Sequence, residues 1–233
     1  MSKRTKVLTG LGIGVVVLVI AVLVGSRLYG NWVNSNAEEA PTLGGSSETT
    51  ETAQTDSSAS AQGSDELAGE YAVSAGSFAG YRVEEVLNGQ DVTVTGRTEE
   101  VSGAVTIDDG ALTAGTIEVD LTTVSTPEAP RDEYFRTQAL ETDEFPTATF
   151  ELTEPVAVAL DGGDIALVGD LTIHGVTQAV TVTAQAAAGG EGLQVVGSAP
   201  ITFADYDVQA PDLGFVVVEE AGAIEFSLEL AAG

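Results

Sequence analysis

The chain has 233 residues, no cysteine, one histidine and a formal net charge of −28. Without cysteine, neither a disulfide framework nor a thiolate metal site can form. So acidic a chain excludes nucleic acid as a partner, because phosphate binding needs clustered Lys and Arg, and it favours solubility and colloidal stability.

Lys3, Arg4 and Lys6 precede an uncharged run from Val7 to Gly25. As a helix this run would extend roughly 28 Å, close to the hydrocarbon thickness of a bilayer. Arg27, Tyr29 and Trp32 follow, residues suited to a membrane interface. The segment SRLYGNW has no small-residue cleavage site, so residues 1–33 are predicted to be a basic tip and an uncleaved transmembrane anchor. The basic residues before the span place the N-terminus in the cytoplasm and the C-terminal domain outside. Residues 34–68 are Ser, Thr, Glu, Gly, Ala and Gln with almost nothing apolar. Such a composition cannot offset its ordering entropy, and the segment is predicted to be a disordered tether reaching roughly 30 to 35 Å.

Residues 69–233 read as a folded domain of short alternating strands. Phe78–Val86 and Asp91–Thr98 flank Asn88-Gly89; Val101–Ile107 and Leu112–Val124 flank Asp109-Gly110; Leu152–Leu160 and Asp164–Ile173 flank Asp161-Gly162. Asn-Gly and Asp-Gly tolerate the positive φ of tight hairpin turns. After His174-Gly175 the alternation resumes over Val180, Val182, Ala184 and Ala186, then Leu193–Phe203, and finally Ala223–Ala231. This spacing of strands and turns predicts an all-β sandwich or barrel with charged outer and apolar inner faces. Pro127–Leu140 is the exception: Pro130 and the helix formers after it predict a short helix that would suit a lid at a barrel end. Asp205–Leu213 is irregular, and Pro211 argues against a strand there.

Few residues offer chemistry. His174 sits at a turn with the parity opposite Ile173, so it is expected at the rim or in solvent, and no nucleophile motif accompanies it. The acids at Asp108-Asp109 and between Asp161 and Asp164 lack calcium-loop spacing and suit turns. No metal site and no catalytic residue is predicted. Arginine carries more information, since Arg82, Arg97, Arg131 and Arg136 face 29 acids in the domain. Two of them lie on the predicted helix. Either they tie it to the barrel through carboxylates, Asp132 or a strand acid, or they meet a phosphate or quinone head group. Strand parity turns small residues inward as well: Gly169 with Leu167 and Leu171, Gly197 with Val195, and Ala184 with Val182. An inward glycine in a strand can mark a barrel bend or the close approach of a ligand.

Two stretches carry a resemblance. GDLTIHGVTQAVTVTAQ, beginning at Gly169, and PRDEYFRTQALETDEFPTATFEL, from Pro130 to Leu152, resemble the two hallmark segments of the YceI-like domain family. The likeness extends from Gly69 to Leu230. Two positions depart from the family pattern: Tyr134 stands where histidine is usual, and the usual His-Ser is missing from SAGSFAGYRVEE. The resemblance implies an eight-stranded antiparallel lipocalin-like barrel holding a long apolar chain, such as a polyisoprenoid or isoprenoid quinone, with no other cofactor. The cavity wall is then expected to include Tyr81, Val83, Ile117, Val119, Leu121, Phe135, Phe150, Leu167, Gly169, Leu171, Ile173, Val182, Ala184, Gly197 and Phe226, with Arg131, Arg136 and Tyr134 as head-group candidates. The expected function is extracytoplasmic binding or carriage of that lipid without catalysis. The alternative is a side-chain-filled barrel serving as a structural or adhesion module on a membrane-anchored stalk.

Overall fold

A computed structural model of the chain describes residues 25–44, 67–189 and 192–233. The apolar run expected to span a membrane therefore lies outside the described residues, apart from Gly25. Among the described residues no helix is long and apolar enough to cross a membrane.

A helix over residues 25–36, α1, comes first. Among the described residues eleven strands then run β1 (Gly69–Val73), β2 (Phe78–Leu87), β3 (Gln90–Thr98), β4 (Val101–Asp108), β5 (Ala111–Asp120), β6 (Thr147–Leu152), β7 (Val156–Ala157), β8 (Asp164–Ile173), β9 (Val176–Gly189), β10 (Gly192–Thr202) and β11 (Val216–Ala232). Every pairing is antiparallel. The strand order is β1-β4-β5-β6-β8-β9-β10-β11-β2-β3, with β7 on β5 and a further pairing of β1 with β11 that closes the ring. β1 and β2 occupy successive lengths of β11, against its residues 230–232 and 216–227 respectively. β4 and β3 continue that relay one position further round, β4 on β1 and β3 on β2. The result is a closed antiparallel barrel with eight strand positions.

The hairpin turns follow from residue type. Asn88 and Gly89 have φ of 51° and 79°, and Asp109 and Gly110 have φ of 49° and 74°. Both central residues are left-handed, as the commonest two-residue hairpin requires. His174 and Gly175 (φ 52° and 73°) make a third turn of the same kind. Two expectations about strands need correction, and one strand was not expected. Leu152–Leu160 is not one strand: β6 ends at Leu152, and only Val156–Ala157 pairs again, on β5. β5 stops at Asp120, whose carboxylate accepts from the Thr122 amide and turns the chain into a 3₁₀ turn at Leu121–Thr123. β1 lacked any expected counterpart.

The barrel has two different ends. At one lie the turns Asn88–Gly89 and His174–Gly175, the segment 203–215, and α2 (Ala129–Tyr134), which continues as a wider π turn over Phe135–Ala139. We call this the helix end. The far end carries Asp109–Gly110 and a hydrophobic plug of Tyr71, Ile107, Leu193, Leu228 and Leu230, with Leu112, Val158 and Leu160 against it.

α1 packs at the free edge of β3, on the face that carries Val92 and Val94, and residues 37–44 run on from it as a strap. The tether expected from Asn34 onward is thus held to the barrel as far as Gly44. The reason is an open backbone edge. Among the described residues β3 has only β2 as a ladder partner, and an unpaired edge needs covering. Asn34 supplies the cover: its amide oxygen accepts from the Thr93 N–H (2.8 Å), and its amide nitrogen reaches the Asp91 carbonyl (3.3 Å). Val33 is buried with Val83, Leu87, Val92 and Val94. Further along, the Glu38 N–H donates to Thr95 Oγ1, Arg82 and Arg97 donate to the carbonyls of Glu38 and Glu39, and the Gly44 N–H donates to Gln194 Oε1. Composition registered the polarity of this segment but not the arginines waiting for its carbonyls.

Candidate functional site

A cavity of about 310 Å³ runs inside the barrel. Its far end is walled by Ile107, Leu112, Val158, Leu193 and Leu230, its middle by Ile117, Leu167, Val182, Ala184 and Phe226, and its helix end by Leu121, Phe135, Leu140, Ile173 and Phe203. The polar side chains of the wall are Tyr81, Arg131, Tyr134, Thr149, Tyr206 and Gln209. All belong to the helix half: Thr149 pairs opposite Thr172, beside the His174 turn, and the others lie on α2, on β2 or in segment 203–215. The lumen is therefore apolar along its length and polar at one end.

The structure brings nearly all the residues predicted for the wall to it: Tyr81, Val83, Ile117, Val119, Leu121, Phe135, Phe150, Leu167, Leu171, Ile173, Val182, Ala184 and Phe226, with Arg131 and Tyr134. Arg136, Gly169 and Gly197 are not part of it. The two glycines face inward, as parity required, but they seat aromatic rings rather than a ligand. A Cβ at Gly197 would lie 2.6 Å from Phe226 Cζ, and one at Gly169 would collide with the Phe150 ring. Gly96 does the same for Tyr81, whose Cε1 would be 2.5 Å away. Each ring lies over the bare backbone of the neighbouring strand, directly opposite at Gly197 and Gly96 and diagonally at Gly169. Three large side chains are thereby laid against the wall, and the lumen between them stays open.

At the polar end, Arg131 on α2 makes a two-pronged pair with Glu85 on β2: Nη1 to Oε2 at 2.7 Å and Nη2 to Oε1 at 3.0 Å. The Glu85 side chain is 1% exposed and that of Arg131 21%. Burial alone would lower the Arg131 pKa, but the hydrogen bonds and charge of Glu85 more than reverse this and raise it. Glu85 has the inward parity of Tyr81 and Val83, so it breaks the rule of charge outside and is matched by the helix. Asp132 serves a different purpose. It accepts from the Thr126 amide (2.9 Å) and hydroxyl (2.8 Å), fixing the turn into α2. Tyr81 stacks on Phe135 at 5.3 Å, and burial, partly offset by the Arg131 charge, pushes its phenol up to about 12.

His174 lies at the barrel rim, one of its two expected places, and not in solvent. Its side chain is 12% exposed. Nδ1 lies 3.2 Å from the Tyr206 carbonyl, Nε2 3.3 Å from Glu141, and the ring meets Phe145 edge-on. It therefore ties the turn to segment 203–215 and to the chain after α2. Sequence reasoning missed Glu85, Tyr206 and Gln209. Parity alone marked Glu85 as inward, whereas Tyr206 and Gln209 sit in irregular chain that has no periodic signal.

Comparison with known proteins agrees with this architecture. The YceI-like domain matches residues 71–230. The chain belongs to the YceI-like domain family. A UPF0312 protein of Shewanella denitrificans is 35% identical over 131 residues, which is 52% of this chain and 66% of that protein. Protein YceI of Escherichia coli is 37% identical over 93 residues, 39% of this chain and 47% of the relative. The chain thus spans two thirds or less of these YceI-like relatives. Among solved structures, a polyisoprenoid binding domain from Saccharophagus degradans superposes with a TM-score of 0.54 at 20% identity, covering 71% of this chain and 99% of that one. Burkholderia cenocepacia BcnA gives 0.52 at 23% identity, covering 65% and 96%. At these identities the likeness concerns the fold.

Proposed function

We propose that this YceI-like barrel binds a long apolar amphiphile, a polyisoprenoid or isoprenoid quinone, and carries it without chemical change outside the cytoplasmic membrane, to which the apolar run Val7–Gly25 anchors it. One observation carries the reading: the lumen is apolar from the far-end plug to α2 and polar only at the helix end. A ligand complementary to that wall has a long hydrocarbon body and one polar terminus. A strand of ten residues, such as β8, tilted as barrel strands are, spans roughly 25 Å along the barrel axis, so an apolar lumen beside it suits an extended chain. Affinity would come from burial, at about 25 cal/mol per Å² of apolar surface, and the few polar groups would fix orientation. Tyr134 and the Nη atoms of Arg131 are the groups placed to meet the polar terminus, although Glu85 already takes two of the guanidinium's donors. The Saccharophagus domain, described as polyisoprenoid binding, has the same fold and supports the choice of ligand class.

A barrel filled by its own side chains, the alternative, has no use for glycine seats that draw three aromatic rings back from the lumen. Mass spectrometry of an organic extract of the purified, membrane-expressed protein tests the proposal. A stoichiometric isoprenoid lipid is expected; a protein that yields none and takes up none from vesicles would overturn it.

A further inference from the structure

Six large hydrophobic side chains are exposed among the described residues: Leu28, Tyr29 and Trp32 on α1, and Leu213, Phe215 and Val217 before and at the start of β11. Leu28, Leu213 and Phe215 are each more than half exposed, at 65%, 56% and 58%. Singly scattered apolar residues need no explanation, but grouped ones do. These flank a single turn. On one side, the Asn88 N–H donates to the Phe215 carbonyl at 2.7 Å, and Val216 pairs opposite Leu87. On the other, Ser26, Arg27 and Asn31 of α1 share a small recess with Asn88, Gly89 and Gln90. The arrangement is fixed, because Val33 is buried and Gly30 fits so closely against Gln90 and Val92 that a Cβ there would overlap Gln90. All six therefore lie at the helix end, where the cavity is polar.

Two facts name the occupant. Leu28 follows the uncharged run Val7–Gly25 by three residues, a helical rise of roughly 5 Å. Any bilayer that takes that run is the first surface within reach of the patch. Residues 213–218 (LGFVVV) also carry no charge in a chain of net charge −28. This uncharged stretch, between Asp212 and Glu219, together with Tyr29 and Trp32 of α1, suits the interface of a bilayer with neutral head groups, where Trp and Tyr concentrate.

We infer that the helix end is seated in the head-group zone of the anchoring bilayer, with Leu213 and Phe215 on one side of the Asn88–Gly89 turn and Trp32 on the other. The polar end of the cavity then opens at the bilayer surface, and the ligand passes between membrane and barrel without crossing water. This deepens the proposed function and rests on its anchoring and ligand readings.

Trp32 is the sole tryptophan, which makes the test direct. The full chain is reconstituted in phosphatidylcholine vesicles with or without bromine on the acyl chains. In Trp32→Phe/Phe215→Trp the reporter sits far in sequence from the anchor. Its emission is expected to fall at least about twofold in brominated lipid, as wild-type Trp32 does. In Trp32→Phe/Thr183→Trp, on the exposed outer face of β9, it should not change. Quenching at position 32 with none at 215 would overturn the seating, because the barrel would then be tethered but free. Absence of quenching at both would overturn it through the anchor. Extraction of the same samples separates the readings. Retained isoprenoid with unquenched Trp at 215 removes the seating alone, and quenching without a retained lipid removes the ligand class alone.

Discussion

The open lumen depends on glycine seats, and the seat at Gly96 can be tested in isolation. The three atoms nearest a Cβ built there all belong to Tyr81: Cε1, Cζ and Oη, at 2.5, 2.7 and 3.0 Å. Gly169 and Gly197 differ, because a Cβ at either also strikes a backbone carbonyl, that of Glu151 or Thr183. Two opposing effects set the magnitude of Gly96→Ala. Forcing the ring off its seat is overpacking, about 1 to 3 kcal/mol. Against it, alanine lowers the entropy of the unfolded chain, worth about 0.4 to 1 kcal/mol where φ is not left-handed, as here. The net expectation is a loss between about 0 and 2.6 kcal/mol, with the ring pushed into the lumen and lipid retention reduced. In a Tyr81→Leu background nothing rigid occupies the seat, so the same substitution should be neutral or stabilising by up to about 1 kcal/mol. Urea unfolding of the four proteins in a double-mutant cycle, alongside lipid extraction from each, measures both effects. An equal cost of Gly96→Ala in both backgrounds would refute the seat, because the ring would then not be what the methyl displaces.

Other expectations follow from the site. Arg131→Ala strands a carboxylate that is 1% exposed, and should cost about 2 to 4 kcal/mol in denaturant melts, the low side of the buried-pair range because the arginine itself is partly solvated; an unchanged melt of lipid-free protein would contradict the pairing. Ala184→Phe adds a ring to the cavity wall, so the empty barrel should stay within about 1 kcal/mol of wild type while uptake of a fluorescent isoprenoid falls; a loss of about 1 to 3 kcal/mol would indicate a packed core. Thr183→Phe, which faces out, should do neither. Tyr81 ionises near 10 when unfolded and about 12 when folded, so the folded state holds its proton more tightly. Stability from this group is therefore complete below pH 10 and is lost as pH rises to 12, by about 2 to 3 kcal/mol, and Tyr81→Phe should remove that part of the alkaline decline in a pH series of melts.

The barrel was largely legible in the chain because its signals are local. Alternation sets strand faces two residues at a time, and Asn88-Gly89 and Asp109-Gly110 announce their turns without reference to the rest of the fold. The cavity wall followed, since parity alone decides which side chains point inward. Parity could not say what an inward glycine is for. Whether Gly169 receives a ligand or the Phe150 ring depends on the register of β8 against β6, which no single strand contains. Glu85 shows the same limit from the other side: its inward position was readable, but its acceptability rests on Arg131, 46 residues away.

The N-terminal strap fails to appear in the sequence for a more general reason. Composition describes what a segment can bury by itself, and residues 34–44 bury little. What holds them is supplied by the barrel: an unpaired β3 edge for Asn34 to cap, and two outward arginines whose carboxylate partners do not use every donor. Arg82 gives Nε and Nη2 to Glu225 and still reaches the Glu38 carbonyl; Arg97 lies over the Phe78 ring and reaches Glu38 and the Glu39 carbonyl. In a domain with only four arginines among 29 acids, cations are scarce. Two of the four hold the strap, and a third holds α2 at the polar end. The rare charge thus goes to the pieces that alternation does not place, and strands placed by alternation manage with almost none.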